Sequence, residues 1–348
     1  MRDVVFAIPG DLSTRTGGYA YDRKVIAALP RRDIDVRHVP LPDSFPHPSA
    51  ADLAATAGAL ADVPPGAVVL FDGLAYSALP ADVIRAIRRP IIAIVHHPLS
   101  FESGLTEKRR QELYASERVA LALAKVVIVS SATTRTVLLT EFGVKPDRIV
   151  VAEPGTARAV RARGSGGEPS ILMVGAISPR KGYDVLVEAL HHLSNRPWRA
   201  TLVGSRTRDP ATAAALVARI ASRDLTDRID ITGEVDDERL GRLYNDADLF
   251  VLSSHYEGYG MVLAEAMAHG LPIVSTTGGA AAETVPDDAA LRVPPGDADA
   301  LAAAISRMLD NPGLRGQIAD ASWRAGQTLP GWDRTAAIIA EAIRQAAT

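Results

Sequence analysis

Apolar runs of four or five residues alternate along this chain with longer stretches whose apolar positions recur at helical spacing. Residues 4–8, 68–71, 91–95 and 126–129 read as buried strands, and residues 19–29, 81–88 and 106–124 read as helices among them. Short strands joined by helical crossovers predict a parallel sheet flanked by helices. The alternation then breaks. Residues 154–169 hold Gly155, Gly164, Gly166, Gly167 and three arginines without an apolar period, which predicts a linker. Beyond it the pattern restarts, with strands at residues 171–174, 200–203, 229–232, 249–252, 272–275 and 290–293. Helices are expected at residues 183–193, 211–222, 298–309 and 332–347. No fixed period recurs, which argues against a solenoid. Two α/β units joined near residue 160 are expected, and ligands of open α/β sheets bind beyond the carboxyl ends of the strands. Two such units facing each other would place a ligand in the cleft between them.

Length agrees with this division: 348 residues fit two domains of about 100–200 residues each. Charge narrows the partners. With 38 basic and 41 acidic residues the net charge is −3, which argues against a nucleic-acid binder. The absence of cysteine excludes disulfides, cysteine metal sites and a cysteine nucleophile. The apolar run at residues 4–8 is too short for a secretion-signal core, and no run approaches the roughly 18 residues of a membrane span. A cytoplasmic protein is expected, with peripheral attachment to the inner face of a membrane left open.

The richest segment is residues 253–270, SSHYEGYGMVLAEAMAHG. It follows an apolar strand, turns through Gly258 and Gly260, and enters a helix at residues 261–268 that Gly270 and Pro272 end. A glycine turn into a helix N-terminus presents backbone N–H groups and the positive end of the dipole, a ready phosphate site. Glu257 in the loop and Glu265 on the helix are eight positions apart, and a carboxylate can accept hydrogen bonds from two vicinal hydroxyls of a sugar or ribose. On spacing alone, an acidic helix start plus one solvated Glu reads equally well. A second cluster follows the strand at residues 171–174: Gly175, Ala176, Ile177, Ser178, Pro179, Arg180, Lys181, Gly182. Two adjacent cations at a strand end suit a diphosphate, Arg binding bidentately and Lys as a point charge. An isolated Arg-Lys pair would more simply be a solvated turn.

Glu257, Gly258, Gly260 and Glu265, with Ala266–Met267–Ala268, Gly270 and Pro272, resemble the E-x7-E segment of glycosyltransferase family four. The likeness runs upstream through residues 245–254 and downstream to Glu283, about forty residues in all. Lys181, Gly182, Asp184 and Leu186 match the family segment in which Arg and Lys grip the leaving diphosphate. Val203–Gly204–Ser205 is similar to its G-x-G stretch without the second glycine, and Thr232–Gly233–Glu234–Val235 to its loop beside the base. The resemblance implies an α/β GT-B fold of two Rossmann-like domains facing across a cleft. The N-terminal, acceptor-side domain would be residues 1–156, with the helix at about 331–348 packing back on it. Residues 157–168 would be the linker and residues 169–330 the nucleotide-sugar domain. It implies a retaining, metal-independent transfer of a mannose- or glucose-type hexose from a nucleoside-diphosphate sugar. The acceptor is a sugar, a lipid or a small molecule. Glu265 would hold the ribose, Glu257 would lie near the sugar hydroxyls, and the backbone of Gly258, Tyr259, Gly260, Met261, Val262 and Leu263 would cap the diphosphate. Gly204 and Val235 would line the donor site, and Arg180 and Lys181 would stabilise the leaving group.

In the N-terminal half, Gly17 and Gly18 precede the first helix, where a glycine pair lets backbone approach a ligand or simply loosens a loop. By resemblance they lie near the donor phosphate or the acceptor. His96 and His97 follow the strand at residues 91–95; the family places a histidine here beside the reacting carbon, and His96 is the first choice. Its implied role is to bind the transferred sugar or support oxocarbenium charge. Glu102 is a candidate acceptor contact, and Arg135 reads as a helix-surface residue. Three D-x-D pairs occur, at Asp33/Asp35, Asp246/Asp248 and Asp297/Asp299. None is expected to hold a metal, Arg180, Lys181 and the helix N-terminus standing in for one. Two other readings share the pattern: a GT-B sugar-nucleotide epimerase or hydrolase, and a two-domain sugar-binding protein without activity.

Overall fold

The structure, a computed structural model, describes residues 2–348, with side chains from Asp3 onward. The chain divides into two compact units, Met1–Gly155 with Pro330–Thr348, and Thr156–Leu329. Among the described residues, no helix is long and apolar enough to cross a membrane.

In the first unit six strands form one parallel sheet. They are β1 (Arg2–Pro9), β2 (Ile34–Leu41), β3 (Val68–Asp72), β4 (Ile91–Val95), β5 (Val126–Val129) and β6 (Ile149–Val151), in the order β2-β1-β3-β4-β5-β6. Of the four inner strands, β3, β4 and β5 are apolar almost throughout because both their faces are covered. Alternate residues divide between two cores. Val5, Val69, Phe71 and Val95 pack on one face, and Phe6, Leu70, Ile92 and Ile94 on the other. The second core is completed from the far end of the chain. Ile339 and Ile343 of the helix Trp332–Ala346 enter it, and Thr335 Oγ1 donates to the Glu153 carbonyl at 2.6 Å. Gly155 permits this return, since a Cβ there would lie 2.2 Å from Trp332 N.

The second unit repeats the plan with β7 (Ser170–Val174), β8 (Arg199–Val203), β9 (Ile229–Gly233), β10 (Leu249–Leu252), β11 (Ile273–Thr276) and β12 (Ala290–Val293). The order is β12-β11-β10-β7-β8-β9, again with all pairs parallel. The direction of winding reverses between β7 and β10 here, and between β1 and β3 in the first unit. At such switch points the loops leave in opposite directions and open a crevice at the carboxyl ends of the strands.

The segment 157–168, expected as a linker, is bound along the second unit. Ala162 N–H donates to His269 O, and Arg163 and Gly164 N–H donate to Asn245 O. Its arginines explain the missing apolar period: Arg158 reaches the Gly326 carbonyl and Arg161 pairs with Asp320, so the segment is held by polar contacts.

Candidate functional site

At the β7/β10 switch point, β7 runs into a 3-10 turn, Pro179–Lys181, ended by Gly182 at φ 63°. No other residue fits position 182 well, because a Cβ would sit 2.3 Å from Ser253 O. The Lys181 stem lies along Gly175, and its Nζ donates to Glu257 Oε1 at 2.6 Å. Arg180 Nη1 donates to Tyr256 O at 2.7 Å and stands 3.7 Å from Glu257 Oε2. Burial pushes the Glu257 carboxyl up, but Lys181 and Arg180 outweigh it and hold the group below its ordinary range. Two cations and the carboxylate of Glu257 thus meet at the switch point.

Glu257 is placed by backbone. Its N–H donates to Gly278 O at 3.1 Å, and its carbonyl accepts from Ala280 N at 2.8 Å. Gly260, at φ 91°, then opens the helix Met261–Ala268. Within this loop Tyr259 and Leu263 are core residues and the Leu263 N–H, expected to cap a diphosphate, donates to Gly260 O at 2.8 Å, while Met261 and Val262 are half-buried. Glu265 sits one turn into the helix and accepts from Tyr244 Oη at 2.9 Å. Burial raises the Glu265 carboxyl to about 6, with the Tyr244 hydrogen bond opposing. Tyr244 itself stacks on His269, with centroids 4.9 Å apart and planes 8° apart. Gly204 plays a packing part: a Cβ would fall 1.9 Å from Gly175 O. Backbone bonds from Gly175 N to Val203 O and from Gly204 N to Gly233 O tie the ends of β7, β8 and β9 side by side, with the buried Val235 two residues further on.

The first unit has its own cluster at the switch between β1 and β3. Gly17 and Gly18 start the helix Gly17–Ala28, capped by Thr16 Oγ1 accepting from Tyr19 N. Gly18 lies against His96, where a Cβ would meet the ring Cδ2 at 3.1 Å. The ring also meets Tyr21 edge-on at 5.1 Å. Its Nε2 is 3.6 Å from Asp22 Oδ1 and 3.9 Å from Asp72 Oδ2. Asp72, ending β3, accepts the Leu74 N–H at 2.6 Å. Burial raises both aspartates well above the carboxylate range, and the charge of Asp22 adds to the rise at Asp72. Burial lowers His96, with Asp72 opposing.

His97 diverges from its neighbour. Its Nε2 is 3.1 Å from Glu102 Oε2, so the proposed acceptor contact is already engaged with a histidine. Both oxygens of the buried Glu117 accept the Leu99 N–H, at 3.2 and 3.0 Å, which fixes the turn after the two histidines. Arg135 is half-buried on the helix Ala132–Thr140. Among the D-x-D residues, Asp248 accepts from Ser170 N and Asp297 caps a helix through Ala300 N. The one group of histidine and carboxylate atoms that converges among the described residues is Asp22, Asp72 and His96, within 4.8 Å of one another.

Sequence reading missed Asp22, Asp72, Glu117 and Tyr244. Two of them left a signal. Asp22 shares a helix face with Val25 and Leu29, a charge inside an apolar stripe, and Asp72 directly follows the apolar run of β3.

Two family models divide the chain between them. One described as glycosyl transferases group 1 matches residues 158–323, and one described as a glycosyl transferase 4-like domain matches residues 4–155. The D-inositol 3-phosphate glycosyltransferase of Xylanimonas cellulosilytica is 31% identical over 248 residues, 66% of this chain and 59% of its own. The mannosylfructose-phosphate synthase of Agrobacterium fabrum is 32% identical over 187 residues, 49% of this chain and 41% of its own. The match thus spans about half the length of these relatives. Among solved structures, sucrose-phosphate synthase from Thermosynechococcus elongatus has a TM-score of 0.84 at 22% identity, over 99% of both chains. Anabaena HepE in complex with UDP-glucose has a TM-score of 0.79 at 18% identity, over 99% of this chain and 100% of that one.

Proposed function

The chain belongs to the group 1 glycosyltransferases and has the GT-B fold, and from that footing we propose that it moves a mannose- or glucose-type hexose from a nucleoside-diphosphate sugar to an acceptor hydroxyl. The transfer retains the anomeric configuration and needs no metal ion. The observation that carries this reading is the Arg180–Lys181–Glu257 cluster at the β7/β10 switch point, beside the glycine-opened helix Met261–Ala268.

A diphosphate gains negative charge as the sugar departs. Arg180 and Lys181 are fixed before it arrives, so their attraction grows with that charge and favours the transition state over the bound donor. Lys181, held in place by Glu257 at 2.6 Å, acts on the phosphate oxygens as a point charge. The N-terminus of the helix adds backbone N–H groups and dipole. Glu265 receives the two ribose hydroxyls, and its carboxylate form is the one that can accept from both. In the chemical step the bond from the anomeric carbon to the phosphate oxygen breaks. The acceptor oxygen bonds that carbon on the same face, and its proton passes to the departing phosphate oxygen. His96, with Gly17 and Gly18, serves the transferred sugar, and Glu102 with His97 serves the acceptor.

Thermal shifts with UDP, GDP, ADP and TDP, each with and without EDTA, test the donor site. UDP is the first to try, since solved relatives carry UDP and UDP-glucose. A nucleotide at about 100 times its Kd adds roughly 2.7 kcal/mol of stability. The expected result is a rise with one nucleotide that EDTA leaves unchanged. A rise only with divalent metal overturns the metal-free account, and no rise with any of them overturns the donor site.

A further inference from the structure

We propose that Asp22 and Asp72 form one acid pair that shares a single proton and, carrying one negative charge, holds the imidazole of His96, so that both aspartates are positioning residues for the transfer. The proposal rests on the reading of His96 as a group that serves the transferred sugar.

Three distant segments build the arrangement: Asp22 from the helix Gly17–Ala28, Asp72 from the end of β3, and His96 just past β4. Both carboxyls are buried. Neither oxygen of Asp22 has an N–H or O–H donor, and His96 Nε2 is likewise buried without a bonded partner. One oxygen of each carboxyl and His96 Nε2 lie within 4.8 Å of one another, and each carboxyl acts on the other's titration. Two ionised carboxylates in contact and out of water repel strongly. The Arg23 guanidinium, bonded to the carbonyls of Leu12 and Thr14, lowers Asp22 only in part, and burial outweighs it. A single proton between the carboxyls turns the repulsion into an O–H···O hydrogen bond and leaves one charge. That charge lies near His96 Nε2, which is 3.6 Å from Asp22 Oδ1 and 3.9 Å from Asp72 Oδ2, just beyond hydrogen-bond length. Gly18 and Tyr21 close on the ring, so its Nε2 stays directed at the pair. A small cation bridging the same three atoms is the competing occupant.

Asparagine separates the cases, since its amide N–H can stand where the shared proton stood. The variants are Asp22→Asn, Asp72→Asn and the double variant, in the full chain. The measurements are melting temperature, kcat and donor KM, and the His96 imidazole titration followed by NMR on 15N-histidine protein without donor. Each single variant keeps one charge. It is expected to fold, to keep kcat within about 3-fold and to leave the His96 titration in place. The double variant removes the charge. It is expected to lose kcat by about 30-fold at unchanged donor KM and to lower the His96 titration by about one pH unit. A folded single variant as impaired as the double, or a single variant whose His96 titration moves like the double's, overturns the pair as a unit. A double variant with wild-type kcat and titration overturns the positioning role. A melting rise with Mn2+ or Zn2+ in the wild type that the double variant lacks replaces the proton by a cation and overturns the proposal. The NMR arm needs no turnover, so it decides on the pair even if no glycosyl transfer is found.

Discussion

At Lys181 a 2.6 Å hydrogen bond to Glu257 offsets the cost of burying an ammonium group. The same nitrogen faces the leaving diphosphate in the proposed reaction, so Lys181→Ala is expected to lower kcat by about 10²- to 10³-fold. Steady-state kinetics beside circular dichroism checks this, and near-normal turnover in a folded variant would sink the assignment. Glu265 gives a pH prediction. Burial raises it to about 6, and only its carboxylate accepts two ribose hydroxyls, so donor affinity should fall as pH drops through that value. Tyr244→Phe removes the hydrogen bond that holds Glu265 down, so the inflection should move to higher pH. A KM profile that is flat from pH 5 to 8 contradicts both (about the span over which a group near 6 titrates). Stability should respond to pH in its own way. Asp22 and Asp72 are raised in the folded protein, so the native state binds more protons than the unfolded one above the ordinary carboxylate range. Their contribution is therefore full in acid and is lost as pH rises through the folded titration, and the double asparagine variant should flatten that slope in urea melts.

Two glycines at strand ends decide how the elements of the second unit meet. Gly204→Ala would drive a Cβ to 1.9 Å from Gly175 O and part the ends of β7 and β8. A loss of about 2 kcal/mol or more in urea unfolding is expected, with weaker nucleotide binding because Gly175 flanks Lys181. Unchanged stability would mean that the loops re-seat freely. The elements that sequence pattern located are those with two covered faces: β4, β5 and β10 fall at their expected residues because a strand buried on both sides must be continuously apolar. Edge strands β2 and β6 are missing from the expected strands, since IDVRHVPL is buried at just three positions and β6 has only three residues. The helices Ala50–Ala61, Asp237–Asp246 and Pro312–Gly326 also left little trace. The first buries only Thr56 and Leu60, the second only Tyr244, and the third carries three glycines. The site followed the same logic. The Arg180–Lys181 and Glu257–Glu265 segments are contiguous motifs and were legible, whereas Asp22, Asp72 and His96 meet only through the sheet order of the first unit.

Across the whole molecule, the first unit is made of two separated stretches and the second of one. Removing residues 330–348 would uncover the core around Ile339, Ala340 and Ile343, all fully buried, at about 1.5–3 kcal/mol for each large side chain. Calorimetry should show the transition of the first unit falling or vanishing while nucleotide still raises that of the second. Equal loss in both transitions would mean that the units do not melt separately. The return of the chain through Gly155 and Trp332 also bears on the order of synthesis. A ribosome delivers every residue of the second unit before it delivers the helix that closes the first. Domains fold as units while the chain emerges, so the first unit must wait, its apolar sheet face uncovered, until the whole second unit and then the helix Trp332–Ala346 have been made.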